Sequence, residues 1–269
     1  MGTEHHHGNH DMTEMLDLDA EVAREEVATL TARIASLSTA PVRDVIDLGS
    51  GTGAGTFALL HRFPGATVTA VDTSEELLRH LTAAADRHGL TGRIRPVRAD
   101  LDAGWPDLGP ADLVWASSSM HHMADPDRVL RDIRATLRPG GLLVMVEMEQ
   151  LPRFLPDGFG DGLEDRMHAG HAEARDAHLP HIGSDWTARL KAAGLTVHDQ
   201  DTLLIERSAP LSPTAVRYAE ATLRRFRHSL ADRISPADRA TLDGLLHGGL
   251  ASRTDLSVRS SRDVWIAVA

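Results

Sequence analysis

The adjacent imidazoles His121 and His122, and the carboxylates Glu147 and Glu149 that follow the next apolar run, are of types that move protons. Imidazole, with an unperturbed pKa of about 6.5, can take a proton from a hydroxyl or an ammonium near neutral pH. Side chains on an extended segment alternate, so one of the two histidines faces any pocket there, while Glu147 and Glu149 leave their strand on the same side. His121, His122 and Glu149 are therefore the candidate catalytic residues, acting as base or as orienting groups for an amine or phenol. The structural alternative is that the histidines pack a rim or cap a helix, and that the acids are solvated strand ends.

A second set of residues suits binding. Val45-Ile46-Asp47-Leu48-Gly49-Ser50-Gly51-Thr52-Gly53-Ala54-Gly55 is an apolar run that ends in an acid and breaks into alternating glycines. Such a run is a buried strand turning sharply into a helix, whose free N–H groups face a nucleotide-like ligand. Asp47, Asp72 and Asp100 each follow one of the first three apolar runs. In an open parallel sheet, ligands bind beyond the carboxyl ends of the strands, at the point where strand order reverses. Asp72 stands where a carboxylate accepts from both hydroxyls of a ribose, and Asp100 where one accepts from an exocyclic adenine amine.

The elements that must hold these residues alternate. Strands are predicted at 43–48, 66–71, 93–99, 112–116 and 142–146, with helices at 54–62, 74–88 and 127–137 between them. That rhythm implies βαβ units and a mostly parallel sheet covered on both faces. An amphipathic helix leads in over 19–38. Beyond Glu147 the chain becomes rich in Pro and Gly over 150–183, then offers a helix at 185–193, strands at 195–205 and 256–268, and an Arg-rich helix at 214–230 with another from Pro236. The expected organisation is an N-terminal lid and helix (1–40), a ligand-binding core (41–149), a loop-rich cap insertion (150–183), and the rest of the sheet with a helical insertion at about 210–250 (184–269).

Composition narrows the classes. With no cysteine, disulfides, zinc–thiolate sites and cysteine nucleophiles are excluded. A formal net charge of −11 disfavours a nucleic-acid partner. No apolar run approaches the roughly 20 residues that span a bilayer, so a cytoplasmic setting without membrane attachment is expected. His5, His6, His7 and His10 read as a mobile segment, part of a lid. His168, His171, His178 and His181 share the insertion, where surface or substrate-facing roles are expected ahead of a metal site completed by Glu164, Asp165 or Glu173. No metal is expected. Of Arg217, Arg224, Arg225 and Arg227, one could grip an anionic acceptor, although such arginines are more often solvated.

Taken together, Asp47-Leu48-Gly49-Ser50-Gly51-Thr52-Gly53, Ala70-Val71-Asp72-Thr73-Ser74, Ala99-Asp100-Leu101, Met120-His121-His122-Met123 and Leu137-Arg138-Pro139-Gly140-Gly141 resemble a class I S-adenosylmethionine-dependent methyltransferase of the small-molecule, actinomycete-like type. The resemblance covers 45–146. It implies an α/β, Rossmann-like, doubly wound seven-stranded sheet, mostly parallel with an antiparallel last strand, carrying helical and loop cap insertions. It also implies S-adenosylmethionine as cofactor and S-adenosylhomocysteine as product. Alongside Asp47, Gly49, Ser50 and Gly51 would contact the cofactor's amino-acid portion and Asp72 its ribose. Thr73, Asp100 and Leu101 would contact its adenine, with Ser117 nearby. The expected activity is methyl transfer to an O, N or C atom of a small molecule, in specialised metabolism. A homodimer is compatible with the sequence. The rivals are a protein that binds the cofactor without transferring methyl (a cyclase or regulatory binder) and a nicotinamide oxidoreductase, whose G-x-G-x-x-A pattern the loop also fits but whose context it lacks.

Overall fold

Local chemistry sets most helix starts. In the computed structural model, which describes residues 4–176 and 178–269 (side chains from residue 12 onward), the helices α1 (Glu4–Val22), α2 (Arg24–Leu37), α3 (Ala54–Arg62), α4 (Glu75–Arg87) and α5 (Pro126–Thr136) come first. They are followed by α6 (Leu163–Asp176), α7 (Trp186–Ala192), α8 (Pro213–Ser229) and α9 (Pro236–Gly244). Ser74, Asp125, Asp185, Ser212 and Ser235 each cap a helix by accepting a backbone N–H with the side chain. Proline stands at the first helical position of α5, α8 and α9, where its missing N–H costs nothing.

The strands are β1 (Asp44–Leu48), β2 (Thr67–Asp72), β3 (Ile94–Arg98), β4 (Ala111–Ser117), β5 (Leu137–Glu147), β6 (Thr196–Arg207) and β7 (Val258–Val268). They form one seven-stranded sheet in the order β3-β2-β1-β4-β5-β7-β6. The pairs from β3 through β5 are parallel, with Val45 opposite Val68 and Asp47 opposite Trp115, and β7 runs antiparallel to β5. The seven-stranded, mostly parallel sheet with a reversed last strand is as expected. β5 begins five residues earlier than the sequence suggests, because Leu137 already pairs with Ala111 across a bulge.

By internal contacts the chain divides into two compact units. The sheet unit comprises Glu25–Met148, His181–Leu203 and Arg262–Ala269. Alternation along β1 and β4 sends Val45, Leu113 and Trp115 to one face, against Leu30 and Ile34 of α2 and Leu59 and Leu60 of α3. Ile46, Leu48, Val114 and Ala116 go to the other, against Val129, Leu130 and Ile133 of α5 and Trp186 and Leu190 of α7. Strands buried on both faces read as the near-continuous apolar runs seen in the sequence.

The helical unit comprises Met1–Arg24, Glu149–Pro180 and Leu204–Ser261. Its core packs Leu163 and Met167 of α6, Leu223 and Phe226 of α8, and Leu242 of α9. The region expected to be loop-rich thus contains a helix of 14 residues, α6. The backbone is helical from Glu4, and α1 lies along α8, with Glu14 bonded to Arg217 and Asp19 to Tyr218. The side chains of His5, His6, His7 and His10 lie outside the described residues.

Candidate active site in the sheet unit

The order of strands places the reversal between β1 and β4, and the loops leaving these two strands flank it. After β1 the backbone turns through Gly49 at φ 68° and Gly51 at φ 54°, in the left-handed region that favours glycine. The Gly49 and Ser50 N–H groups both donate to the Val71 carbonyl, at 2.9 and 3.0 Å, tying the turn to the end of β2. A Cβ on Gly49 would come within 2.6 Å of Ser119 Cβ, so the loop after β4 closes directly on the glycine turn.

Asp72 locks the arrangement from β2. Its Oδ2 accepts the Gly51 N–H at 2.9 Å, and its Oδ1 accepts the Ser74 N–H at 2.8 Å. Each carboxylate oxygen has a second lone pair. Asp72 therefore joins the glycine turn to the start of α4 and still has capacity for a ligand's hydroxyls. Asp47 sits differently: it is buried at the end of β1, where its Oδ2 accepts the Thr56 hydroxyl at 2.6 Å. Burial pushes its carboxyl up to about 7, with the Thr56 bonds opposing.

Around the rim, Thr73 and Asp100 are exposed, Leu101 is buried and Ser117 is half-buried. The Asp100 carboxylate accepts the Asp102 N–H at 2.9 Å, shaping the turn after β3. Two buried hydroxyls, Ser50 Oγ and Ser119 Oγ, have no hydrogen-bond partner. Buried polar atoms are seldom left unpaired, so these two hydroxyls beside the glycine turn have hydrogen-bonding capacity that the described residues do not use. The site residues fit an adenosyl amino acid: hydroxyls at the turn for its amino-acid end, and a carboxylate on β2 for its ribose. Ser119 was not anticipated from the sequence. The signal was there in the Ser117-Ser118-Ser119 run at the strand end, but only the fold brings the third serine against Gly49.

At the end of β4, Met120–His122 forms a single 3-10 turn. It buries His121 and leaves His122 exposed, with the two rings 4.2 Å apart between centroids. His121 Nδ1 bonds Glu147 Oε2, while Glu147 Oε1 accepts the Met120 N–H at 3.0 Å. Both side chains are nine-tenths or more buried, at 7% and 5% exposure. The acid that meets the histidine is thus Glu147, the last residue of β5. Glu149 is exposed and belongs to the helical unit, where its carbonyl oxygen accepts from Arg175.

Elsewhere in the sheet unit, a cavity of about 180 Å³ opens at the amino ends of β1 and β2, the end opposite the glycine turn. Its charged lining is self-paired, since Arg138 bridges Asp44 and Asp112 at 2.8 Å each. Among the described residues, no group of three His, Asp or Glu side chains is placed to hold a metal ion. No helix there is long and apolar enough to cross a membrane.

Residues 45–141 match a family model described as a methyltransferase domain. The chain is 34% identical over 140 residues to malonyl-[acyl-carrier protein] O-methyltransferase of Laribacter hongkongensis, covering 49% of this chain and 46% of that protein. It is 37% identical over 109 residues to trans-aconitate 2-methyltransferase of an Azoarcus species, covering 40% and 39%. The matched segments thus span less than half the length of these curated relatives. Among solved structures, the YcgJ protein of Bacillus subtilis superposes with a TM-score of 0.53 at 16% identity, covering 91% of this chain and 98% of that one, a likeness of fold. Residues 45–141 therefore match a methyltransferase domain, and the sheet that carries them shares its fold with the solved neighbour.

Proposed function

We propose that the protein binds S-adenosylmethionine at the glycine turn and transfers its methyl group to an oxygen, nitrogen or carbon of a small molecule. The observation that carries this reading is Asp72 joined to the turn through Gly51, with the unpartnered Ser50 and Ser119 hydroxyls beside it. Ser50, Ser119 and the backbone of the turn hold the cofactor's amino-acid end. Asp72 accepts from its ribose hydroxyls, and Thr73, Asp100 and Leu101 border its adenine. Asp47 acts through Thr56, holding the first turn of α3 under the loop. The cofactor, when bound, supplies an already activated methyl on a sulfonium, so the protein's work is to align the acceptor, exclude water and remove a proton.

His121 is the group that removes it. Glu147 accepts the Nδ1–H and fixes that tautomer, leaving the Nε2 lone pair to take the acceptor's proton. Glu147 is itself held by the Met120 N–H, so the imidazole is oriented through a short buried chain. Exposed His122, beside it, is assigned to contact with the acceptor. The protein works in the cytoplasm, without a nucleic-acid partner.

Calorimetry and a labelled-methyl assay test the reading. Asp72→Ala is expected to weaken both S-adenosylmethionine and S-adenosylhomocysteine by about 10- to 100-fold, since a hydrogen bond to a charged group is worth roughly 1.5–3 kcal/mol. Unchanged affinity refutes the ribose assignment. Label that never reaches any acceptor, with the cofactor still bound, favours the non-transferring binder instead.

A further inference from the structure

The turn that carries His121 lies within the sheet unit. The His122 N–H donates to the Ser119 carbonyl at 3.2 Å, the Met120 N–H donates to Glu147 Oε1 at 3.0 Å, and the His121 ring bonds Glu147 Oε2. Just before the turn, Ser118 stands at φ 49°, a left-handed conformation that residues other than glycine seldom hold. Its N–H donates to the Val146 carbonyl at 2.7 Å. The end of β5 thus grips the turn from behind, and both Glu147 oxygens are engaged there. His121 is 7% exposed, yet its Nε2 makes no hydrogen bond among the described residues. Nor is Nε2 one of the sealed, unpaired atoms, which include Ser50 Oγ and Ser119 Oγ. The small exposed part of the side chain therefore includes Nε2. An approaching molecule meets a single imidazole nitrogen with a buried carboxylate behind it.

Three kinds of methyl acceptor fare differently against that arrangement. A carboxylate, with an ordinary pKa of about 4, brings no proton at neutral pH and has no use for a base. Its lone pairs would also face the lone pair on Nε2. An ammonium brings three protons and is best held by several acceptors. Here it meets one nitrogen, and Glu147, 5% exposed, is already engaged with His121 and Met120. A hydroxyl brings one proton for one lone pair and keeps a lone pair of its own for the methyl carbon. We infer that the acceptor is an uncharged hydroxyl and the product a methyl ether, an inference that rests on the reading of the chain as a methyltransferase. The hydroxyl donates to Nε2, and its oxygen forms the new O–CH3 bond as the S–CH3 bond of the sulfonium breaks, leaving that bond's electron pair on sulfur. The hydroxyl proton passes to Nε2. The imidazolium so formed faces the Glu147 carboxylate until it gives the proton to water, so the positive charge of the sulfonium leaves as a proton.

Two measurements on the full chain test this. Nitrogen–proton spectra of the histidine side chains, taken with S-adenosylhomocysteine bound at about pH 8, where an ordinary imidazole is neutral, read the tautomer without any acceptor present. The His121 signals are those lost in His121→Asn. A proton on Nδ1 and none on Nε2 is expected; a proton on Nε2 overturns the inference. Transfer is then followed with methyl-labelled S-adenosylmethionine and sets of phenols, alcohols, amines and carboxylic acids, each bearing a single acceptor group. Label should enter an ether, stable to alkali and not retained by a cation exchanger. Label that alkali releases as methanol marks a carboxylate acceptor, label retained by the exchanger marks an amine, and either overturns the inference. Within a set of phenols, His121→Asn should lose about 100-fold or more with rings whose hydroxyl is neutral, and less than about 10-fold with nitrophenols already ionised at the assay pH, which bring no proton. Equal losses across the set, in a variant that melts as the parent does, also overturn it. S-adenosylhomocysteine bound with no label in any probe is a different failure: it refutes the methyltransferase reading, and the inference falls with it.

Discussion

The Asp47 carboxyl lies at the end of a strand covered on both faces, with the Thr56 hydroxyl as its side-chain partner, and burial moves its pKa from 3.8 to about 7. Between those values the folded protein holds a proton that the unfolded chain has released. The contribution of Asp47 to stability is therefore full below about pH 4 and is lost as pH rises through about 7, by on the order of 4 kcal/mol. Asp47→Asn removes this titration while keeping an acceptor for Thr56. Urea unfolding midpoints measured from pH 4 to 8 should fall more steeply for the parent than for the variant; parallel curves would contradict the assignment. At the same scale, Gly49, Ser50, Gly51 and Asp72 were legible because a turn under a ligand needs particular residue types in consecutive order. His121 was legible as a candidate, but its partner was not. Glu147 and Glu149 have the same chemistry and the same side of the strand, and the choice depended on where β5 ends.

At the scale of elements, α4 begins where two devices meet. Ser74 caps it through Leu77 N at 3.3 Å, and Asp72 holds the Ser74 N–H. Ser74→Ala should therefore cost stability and not binding. About 1 kcal/mol is expected for the lost cap, a fall of roughly 2–4 °C in melting temperature for a protein of this size. Affinity for S-adenosylhomocysteine should stay within about threefold of the parent, and a loss as large as that of Asp72→Ala would make the hydroxyl a ligand contact. The alternation of apolar runs with helix-length segments made the helices between the parallel strands legible, because that signal is local. α1 was missed because its sequence is polar and weakly amphipathic; its ordering comes from α8, which a local pattern does not report.

At the scale of the whole molecule, occupancy of the glycine turn should be felt as stability. Saturation with S-adenosylhomocysteine at about 100 times its dissociation constant adds roughly 2.7 kcal/mol, which should raise the melting temperature by about 5 °C or more. A scan showing no shift in the parent, at a concentration where calorimetry shows binding, would mean that the ligand also binds the unfolded chain or that the melting transition is not that of the sheet unit. Asp72→Ala should show a much smaller shift at the same ligand concentration.

By itself, the sequence determined the alternation of strand and helix, the strand-end acids and the glycine turn, since each of these is written in residues next to one another. The fold alone decided that Glu147 meets His121, that Ser119 closes on Gly49, and that the His168 and His171 rings meet Phe226. Those encounters join residues from different elements, and they depend on strand order, strand ends and which helix faces which. Packing of the whole chain sets these, and no short stretch of it encodes them.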